Sequence, residues 1–346
     1  MFILAINPGA TSTEVGLFKH QSPVWVEYIQ HSVDLTSKPL SEQLKARLLL
    51  IKLKINSDIH IDGIAARGGP LKPLMGGTYS VNDIILNDYR NETFSSHASN
   101  LGALMAHELS GLTGAPAFIV DPVTTDEFIP EARISGIPGI ERKSRSHALN
   151  IKYCVRKTVK SLNISIHKSR FIVAHLGSGF SIAAVRHFKI IDVNDALLGM
   201  GPFSIERAGA LPIAGLLDLI FNENKTRKEW EYLFSKKSGL AGYVGTSDFK
   251  QIESQLNDPK VQTIYSAMVH QIIKEMGAMF AVLEGKIDGL ILTGGLAHSE
   301  QLMTDISSKM PFTNPIYIYP GSFELEALVE GVLPIISGNE KPKDYV

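Results

Sequence analysis

The sequence predicts an α/β protein assembled from two similar units, and three observations predict it. Short apolar runs of strand length alternate with longer segments of helical length along the whole chain. The opening stretch FILAINPGATSTEVGLF at 2–18 recurs in pattern as RFIVAHLGSGFSIAAVR at 170–186, a constant shift of 168 positions with no gap. The 346 residues also suggest two domains, or one large one. In the repeat, Asn7 falls on His175, Gly9 on Gly177 and Thr13 on Ser181.

Taken in order, residues 2–6 form an apolar run that meets the turn signal Asn7-Pro8-Gly9, and a second strand follows at 14–18. Residues 42–54 have helical length and composition. A strand at 61–66 stops at Arg67-Gly68-Gly69-Pro70. Helical character returns at 99–109, a strand at 117–120, and a long helix at 146–162 whose apolar positions recur about every 3.6 residues. The second half repeats the rhythm, with strands at 171–175, 180–185, 189–193 and 288–293. Its helices are expected at 208–222 and 260–284, and the tail at 323–337 is a last helix. Hairpin-like strands followed by alternating helices and strands imply mixed sheets.

Composition narrows the function classes. Hydrophobic residues make up 44% and charged residues 20% of the chain, with 29 Gly and 17 Pro, which is globular composition without low-complexity tracts. The 34 Lys and Arg against 35 Asp and Glu leave a net charge of −1, which argues against a general nucleic-acid surface. Cys154 is the single cysteine, so an internal disulfide and a multi-cysteine zinc site are excluded, and a buried, reduced thiol is expected. No segment reaches the roughly 18 apolar residues of a membrane span. The N-terminus lacks the basic region of a secretory signal. A cytoplasmic protein with neither membrane nor nucleic acid as partner is expected.

The chemistry resides in the turns. A glycine-rich hairpin turn flanked by Thr and Ser aims backbone N–H groups and hydroxyls at phosphate oxygens, and glycine allows close approach. Gly9, Thr11, Ser12 and Thr13 fit that description, and Gly177, Ser178 and Gly179 repeat it in the second half. Either turn alone reads equally well as a plain hairpin; the pair in register is the stronger signal. A third element, Gly294-Gly295 after the apolar strand 288–292, lets a flat base lie against the backbone. There is no G-x-x-x-x-G-K-[ST], no G-x-G-x-x-G after the first strand, no H-E-x-x-H and no G-x-S-x-G, which removes P-loop, Rossmann, zincin and α/β-hydrolase chemistry.

The three glycine elements in this order resemble the first phosphate, second phosphate and adenosine motifs of the acetate and sugar kinase/Hsc70/actin superfamily. More narrowly, INPGATST at 6–13, AARGGPLKP at 65–73, HASNLGALMA at 97–106, DPVTTDEF at 121–128, RKSRSHALN at 142–150, AHLGSGFSIAA at 174–184, GLAGYVGTSD at 239–248 and LTGGLAH at 292–298 resemble the butyrate kinases of the acetokinase family. The block DVNDALLGMGPFSIERAGALP at 192–212 is the most specific of these, being long, irregular and similar to the butyrate branch.

The resemblance implies two related ribonuclease-H-like, actin-like ATPase domains, about 1–148 with a returning helix from 325, and 149–324. The active site would lie in the cleft between them, whose closure excludes water. It implies the reversible conversion of butyrate and ATP to butyryl phosphate and ADP, with Mg²⁺, by direct in-line transfer, in a protein that associates at least as a dimer. A carboxylate attacking ATP brings anions together, so cations must offset their repulsion. Arg67 and Arg207 match the family's active-site arginines, and a planar guanidinium suits carboxylate and phosphoryl oxygens. His97, His147 and His175 fall on family histidine positions, Asp121 on its metal-linked aspartate, Asn7 on a phosphate or metal-water contact. The family's C-terminal acidic doublet is here Phe323-Glu324, so Glu324 is carried over as a metal-side residue, with Glu326 as the alternative. Ala10 replaces a serine of the first turn, and Ser178 stands where relatives carry Gly or Asn. Kinases for acetate, propionate, isobutyrate or another branched acid, and a non-catalytic ATP-binding switch, are the competing readings.

Overall fold

The first apolar run, residues 2–6, lies within strand β1 (Phe2–Pro8), and alternation of side chains across a strand explains why that run is unbroken. Leu4 and Ile6 enter one fully buried cluster and Ile3 and Ala5 another, so both faces of the strand are covered. The computed structural model describes residues 1–55, 59–310 and 313–346. They divide into two units: Met1–Asp126 with Ala148–Tyr153 and Phe323–Val346, and Glu127–His147 with Cys154–Ser322.

In the first unit, β1 is followed by β2 (Ser12–Lys19), β3 (Ser22–Gln30), β4 (Gly63–Arg67), β5 (Thr78–Ser80) and β6 (Ala117–Val120), in sheet order β3-β2-β1-β4-β6-β5. The three leading strands are antiparallel, β1, β4 and β6 run parallel, and β5 closes the edge antiparallel. Helices Leu40–Lys52 and Asn100–Thr113 cover one face through Leu48, Ile51, Leu101 and Met105. The C-terminal helix Glu324–Ile336 covers the other through Leu325, Leu328 and Val332.

The second unit holds β7 (Arg170–Leu176), β8 (Phe180–Arg186), β9 (Lys189–Val193), β10 (Gly289–Gly294) and β11 (Ile316–Pro320), in order β11-β10-β7-β8-β9. Its pairing repeats the first sheet: β7, β8 and β9 antiparallel, then β7, β10 and β11 parallel. The long helix Pro259–Val282 packs Met268, Ile272 and Met276 on Ile172, Ala174 and Leu292. Two sheets of one strand order are the mixed α/β architecture expected from the repeat.

Three expectations need correction. The repeat is gapless only through β1 and β7. Pro8 pairs with Thr13 across four intervening residues, whereas Leu176 pairs with Phe180 across three, so the second turn is one residue shorter. A one-residue slip moves every later side chain to the other face. The register partner of Asn7 is therefore Glu14, that of His175 is Ser181, and Thr13 corresponds to Phe180 rather than to Ser181. The helix expected at 208–222 runs only over Ile213–Asn222, because Leu211 precedes Pro212 and proline disfavours helical backbone in the residue before it. Strands β3, β5 and β11 were not anticipated. Each lies at or beside a sheet edge, and β3 is polar and exposed at many positions, which weakens its apolar signature. Cys154 is buried, as expected, and its thiol donates to Thr293 Oγ1 at 3.5 Å. Among the described residues no helix is long and apolar enough to cross a membrane.

Candidate active site

In the first unit the parallel pairing of β1 with β4 brings Asn7 and Arg67 to the same end of the sheet. Arg67 Nη1 donates to Asn7 Oδ1 at 3.2 Å and lies 3.3 Å from Glu324 Oε2. Glu324 opens the C-terminal helix and is buried, and a carboxylate is favoured in the first turn by the helix dipole. Glu326, the alternative acid, is exposed. Asn7 Nδ2 in turn donates to Glu14 Oε2 at 3.3 Å, across the β1–β2 ladder. Burial pushes the Glu14 carboxyl above its ordinary range, and Glu324 and Glu326 push it the same way, against the Asn7 hydrogen bond and Arg67. One guanidinium thus serves several carboxylates, and Glu14 joins the cluster although only cross-strand register could have pointed to it.

The first turn closes with the Gly9 N–H donating to Ser12 O at 2.8 Å, and His31 N–H donates to Thr11 O at 2.9 Å. Ala10 and Thr11 are exposed and Ser12 is half-buried, while Thr13 is buried with its hydroxyl 2.8 Å from His31 Nε2. The Thr13 hydroxyl therefore faces inward, and Thr11 and Ser12 carry the hydroxyls at the turn's surface. Asp121 follows β6 in the left-handed region, with φ of 38°, a conformation that Asp tolerates. Its Oδ1 accepts the Gly77 N–H at 2.7 Å and lies 3.6 Å from Lys152 Nζ, a buried ion pair invisible to sequence spacing. His97 is exposed ahead of helix Asn100–Thr113, and its Nδ1 accepts the Ser99 N–H at 3.2 Å.

In the second unit the candidate residues gather around the second turn. His175, near the end of β7, is buried and stacks on His147 with ring centroids 3.9 Å apart and planes 8° apart. His147 Nδ1 lies 2.9 Å from Ser181 Oγ, which also accepts the His147 backbone N–H at 3.2 Å. Ser181 thereby orients His147 from the strand opposite His175. Arg207 lays its guanidinium against Gly179, where a Cβ would sit 1.9 Å from Nη1, so any side chain there would displace the guanidinium. Arg207 Nη1 donates to Ala196 O, and its buried Nε has no hydrogen-bond partner among the described residues. Burial lowers the Arg207 pKa, an effect opposed by Glu206 and Asp195. Glu206 pairs with Lys236 at 3.5 Å rather than with its neighbour Arg207.

Gly294 ends β10 with φ of 93°, and a Cβ there would lie 2.3 Å from Leu176 O. This close approach joins the third glycine element to the second turn. Beside it opens a cleft of about 240 Å³ lined by Gly177, Ser178, Glu206, Phe249, Gly295 and Leu296. Phe249 was not anticipated, because a lone aromatic at the start of a short helix carries no motif. The structure thus groups Asn7, Arg67 and Glu324 in one unit. In the other it groups His147 with His175, Arg207 with Gly179, and Gly177 and Ser178 with Gly295.

The model of the acetokinase family matches residues 138–310. Among solved structures, the chain is similar to acetate kinase of Porphyromonas gingivalis, 18% identical over 97% of this chain and 99% of that one, with a TM-score of 0.77. It is also similar to a propionate kinase from Francisella tularensis subsp. tularensis, 19% identical over 95% and 98%, TM-score 0.75. Acetate kinase from Entamoeba histolytica is 17% identical over 96% and 99%, TM-score 0.76. Fold and family together define an ATP-dependent carboxylate kinase of the actin-like two-domain fold. The chain belongs to the acetokinase family.

Proposed function

We propose that the enzyme converts butyrate and ATP to butyryl phosphate and ADP, reversibly and by direct in-line transfer. The observation that carries the butyrate assignment is the segment 192–212, which is similar to the butyrate branch and builds the surroundings of Arg207, including its Ala196 acceptor. In this proposal Gly177, Ser178 and Gly179, with Gly9, Thr11 and Ser12, meet phosphate oxygens, while Thr13, expected to join them, backs the turn from inside through His31. Gly294 and Gly295 meet the adenosine, with Phe249 as a ring neighbour for the base. Arg67 draws in the acid, and Arg207, His147 and His175 brace the transferring phosphoryl group. Asp121 and His97 support the same site.

The chemistry asks little of a base. A carboxylate oxygen forms a bond to the γ-phosphorus while the bond to the β–γ bridging oxygen breaks, and ADP leaves as an anion. The nucleophile is already deprotonated, so no proton has to be removed from it. The histidines act as hydrogen-bond donors and the arginines offset charge.

Among the described residues no cluster of three or more His, Cys, Asp or Glu is arranged to enclose a metal. Mg²⁺ needs no such cage, since it keeps waters and takes one or two carboxylates with phosphate oxygens. Asn7 and Glu324 are hard oxygen donors beside one another's partner Arg67, and Glu324 Oε2, paired in charge with Arg67, has no hydrogen-bond donor among the described residues, so the donor set fits. Glu324, Asn7 and Asp121 are the residues proposed to hold Mg²⁺ or its waters. Bound there, the ion neutralises charge on the phosphates.

A panel of acetate, propionate, butyrate and isobutyrate, assayed as acyl hydroxamate, tests the assignment. Butyrate should give the highest kcat/KM, by a margin of roughly 10-fold over propionate, because one methylene is worth about 1–3 kcal/mol. A preference for acetate or propionate would replace butyrate. Isolation of a stoichiometric phosphoprotein on the pathway would overturn direct transfer.

A further inference from the structure

Helix Leu40–Lys52 sends one arginine, Arg47, into the interior beneath the first turn, with none of its surface exposed. Its Nη1 donates to Gly9 O at 2.8 Å, Ser12 O at 3.1 Å and Thr13 Oγ1 at 3.3 Å. Its Nη2 donates to Ala10 O at 3.2 Å and to Gln43 Oε1 at 2.8 Å. Gln43 is itself anchored, its Nε2 donating to Thr36 O at 3.2 Å and Lys38 O at 2.7 Å. Every acceptor is neutral. A buried guanidinium is costly to desolvate, and surface arginines avoid that cost, so its retention here calls for a compensating interaction.

The geometry of the turn indicates what compensates. Among the described residues no peptide bond is cis, and in a trans peptide the carbonyl and the following N–H point in opposite directions. With the carbonyls of Gly9 and Ala10 drawn inward to Arg47, the N–H groups of Ala10 and Thr11 point outward, at the surface where those two residues are exposed. Successive N–H groups turned the same way make an anion-binding concavity, and a cation behind it adds to the attraction. Burial, and then the charge of Arg47, lower the His31 pKa and favour the neutral ring that meets the Thr13 hydroxyl.

We propose that Arg47 is a positioning residue of the kinase, which sets the direction of the first turn's N–H groups and supplies the buried positive charge that an anionic phosphoryl group on that turn offsets. This rests on the kinase assignment of the turn and adds to it a residue that touches no substrate. No motif marks it, because an arginine within a helix of mixed polar and apolar residues reads as a surface residue.

The test compares wild type, Arg47→Met, Arg47→Lys and Gln43→Glu in the hydroxamate assay, with circular dichroism and thermal unfolding alongside. Arg47→Met should lower kcat/KM by roughly 100-fold and Arg47→Lys by roughly 10-fold, the lysine keeping the charge but not the three-carbonyl grip. Gln43→Glu gives Arg47 a carboxylate partner and should raise the KM for ATP several-fold without lowering Tm. Should Arg47→Met fail to fold, the lysine and glutamate variants decide. If folded Arg47→Lys and Gln43→Glu both keep wild-type kcat and KM, or lose only Tm, the inference is overturned while the kinase assignment stands. A wild type that forms no hydroxamate with any short acid overturns both.

Discussion

Arg67 is shared between an amide and a carboxylate, and that sharing makes it available: a third oxygen, from an incoming acid, can exchange with one of the two. Arg67→Ala should therefore raise the KM for the acid more than it lowers kcat, which steady-state kinetics with butyrate will separate. Arg207 is held differently, pressed against Gly179 with one unpartnered N–H. Removing it should lower kcat by about 10²–10³-fold, the usual loss for one donor that stabilises developing charge. Gly179→Ala should lower kcat comparably, since the added methyl occupies the place of the guanidinium; wild-type turnover in either variant would count against the assignment. Glu14 offers a test by pH. Its carboxyl is raised in the folded protein, chiefly by burial, so folding binds protons there. The stability it contributes is complete below the ordinary carboxylate range and is lost as pH rises through the raised folded value. Glu14→Gln should accordingly have a higher Tm than wild type at pH 7, and the difference should shrink as the pH falls toward 4, measured by thermal unfolding.

Each glycine turn gains its meaning from the strands that carry it. The shared strand order puts β1 and β7 at the centre of their sheets, so the turns that follow them stand beside the ends of parallel neighbours. For the second turn that neighbour is β10, and Gly294 touches Leu176 so closely that a side chain cannot enter. Gly294→Ala should destabilise the protein by about 1–3 kcal/mol from its backbone angle, with more from the clash. It should also weaken ATP binding by calorimetry, because it moves the wall of the cleft at Gly295. The hairpin turns also illustrate where sequence comparison stops. The shift of 168 positions aligns β1 and β7 residue for residue, yet it assigns the wrong partner beyond the turn. Turn length is decided by how the strands pair, and a pattern of small residues looks the same with one residue more or less.

Both units bury a sheet between apolar layers, and each has its own cluster of fully buried side chains. Ile64→Ala in the first or Leu292→Ala in the second should each cost about 2–5 kcal/mol, measured by denaturant unfolding. Their effects should add in the double variant, since the two side chains share no cluster. The order of elements, the apolar strands, the paired turns and most matching residues were legible in the sequence, because strands buried on both faces are continuously apolar and phosphate turns need glycine and hydroxyl residues at fixed spacing. By itself, then, the sequence determined the two-sheet α/β plan and the acetokinase resemblance, and it nominated Asn7, Arg67, Arg207 and the motif histidines as candidates. Tertiary structure alone decided that Glu324 rather than Glu326 meets Arg67, that Glu14 joins them, that Thr13 turns inward and that Arg47 lies beneath the first turn. The physical reason is common to all four. Each depends on register or packing between segments far apart in the chain, and distance along a sequence carries no record of which face a side chain takes when those segments meet.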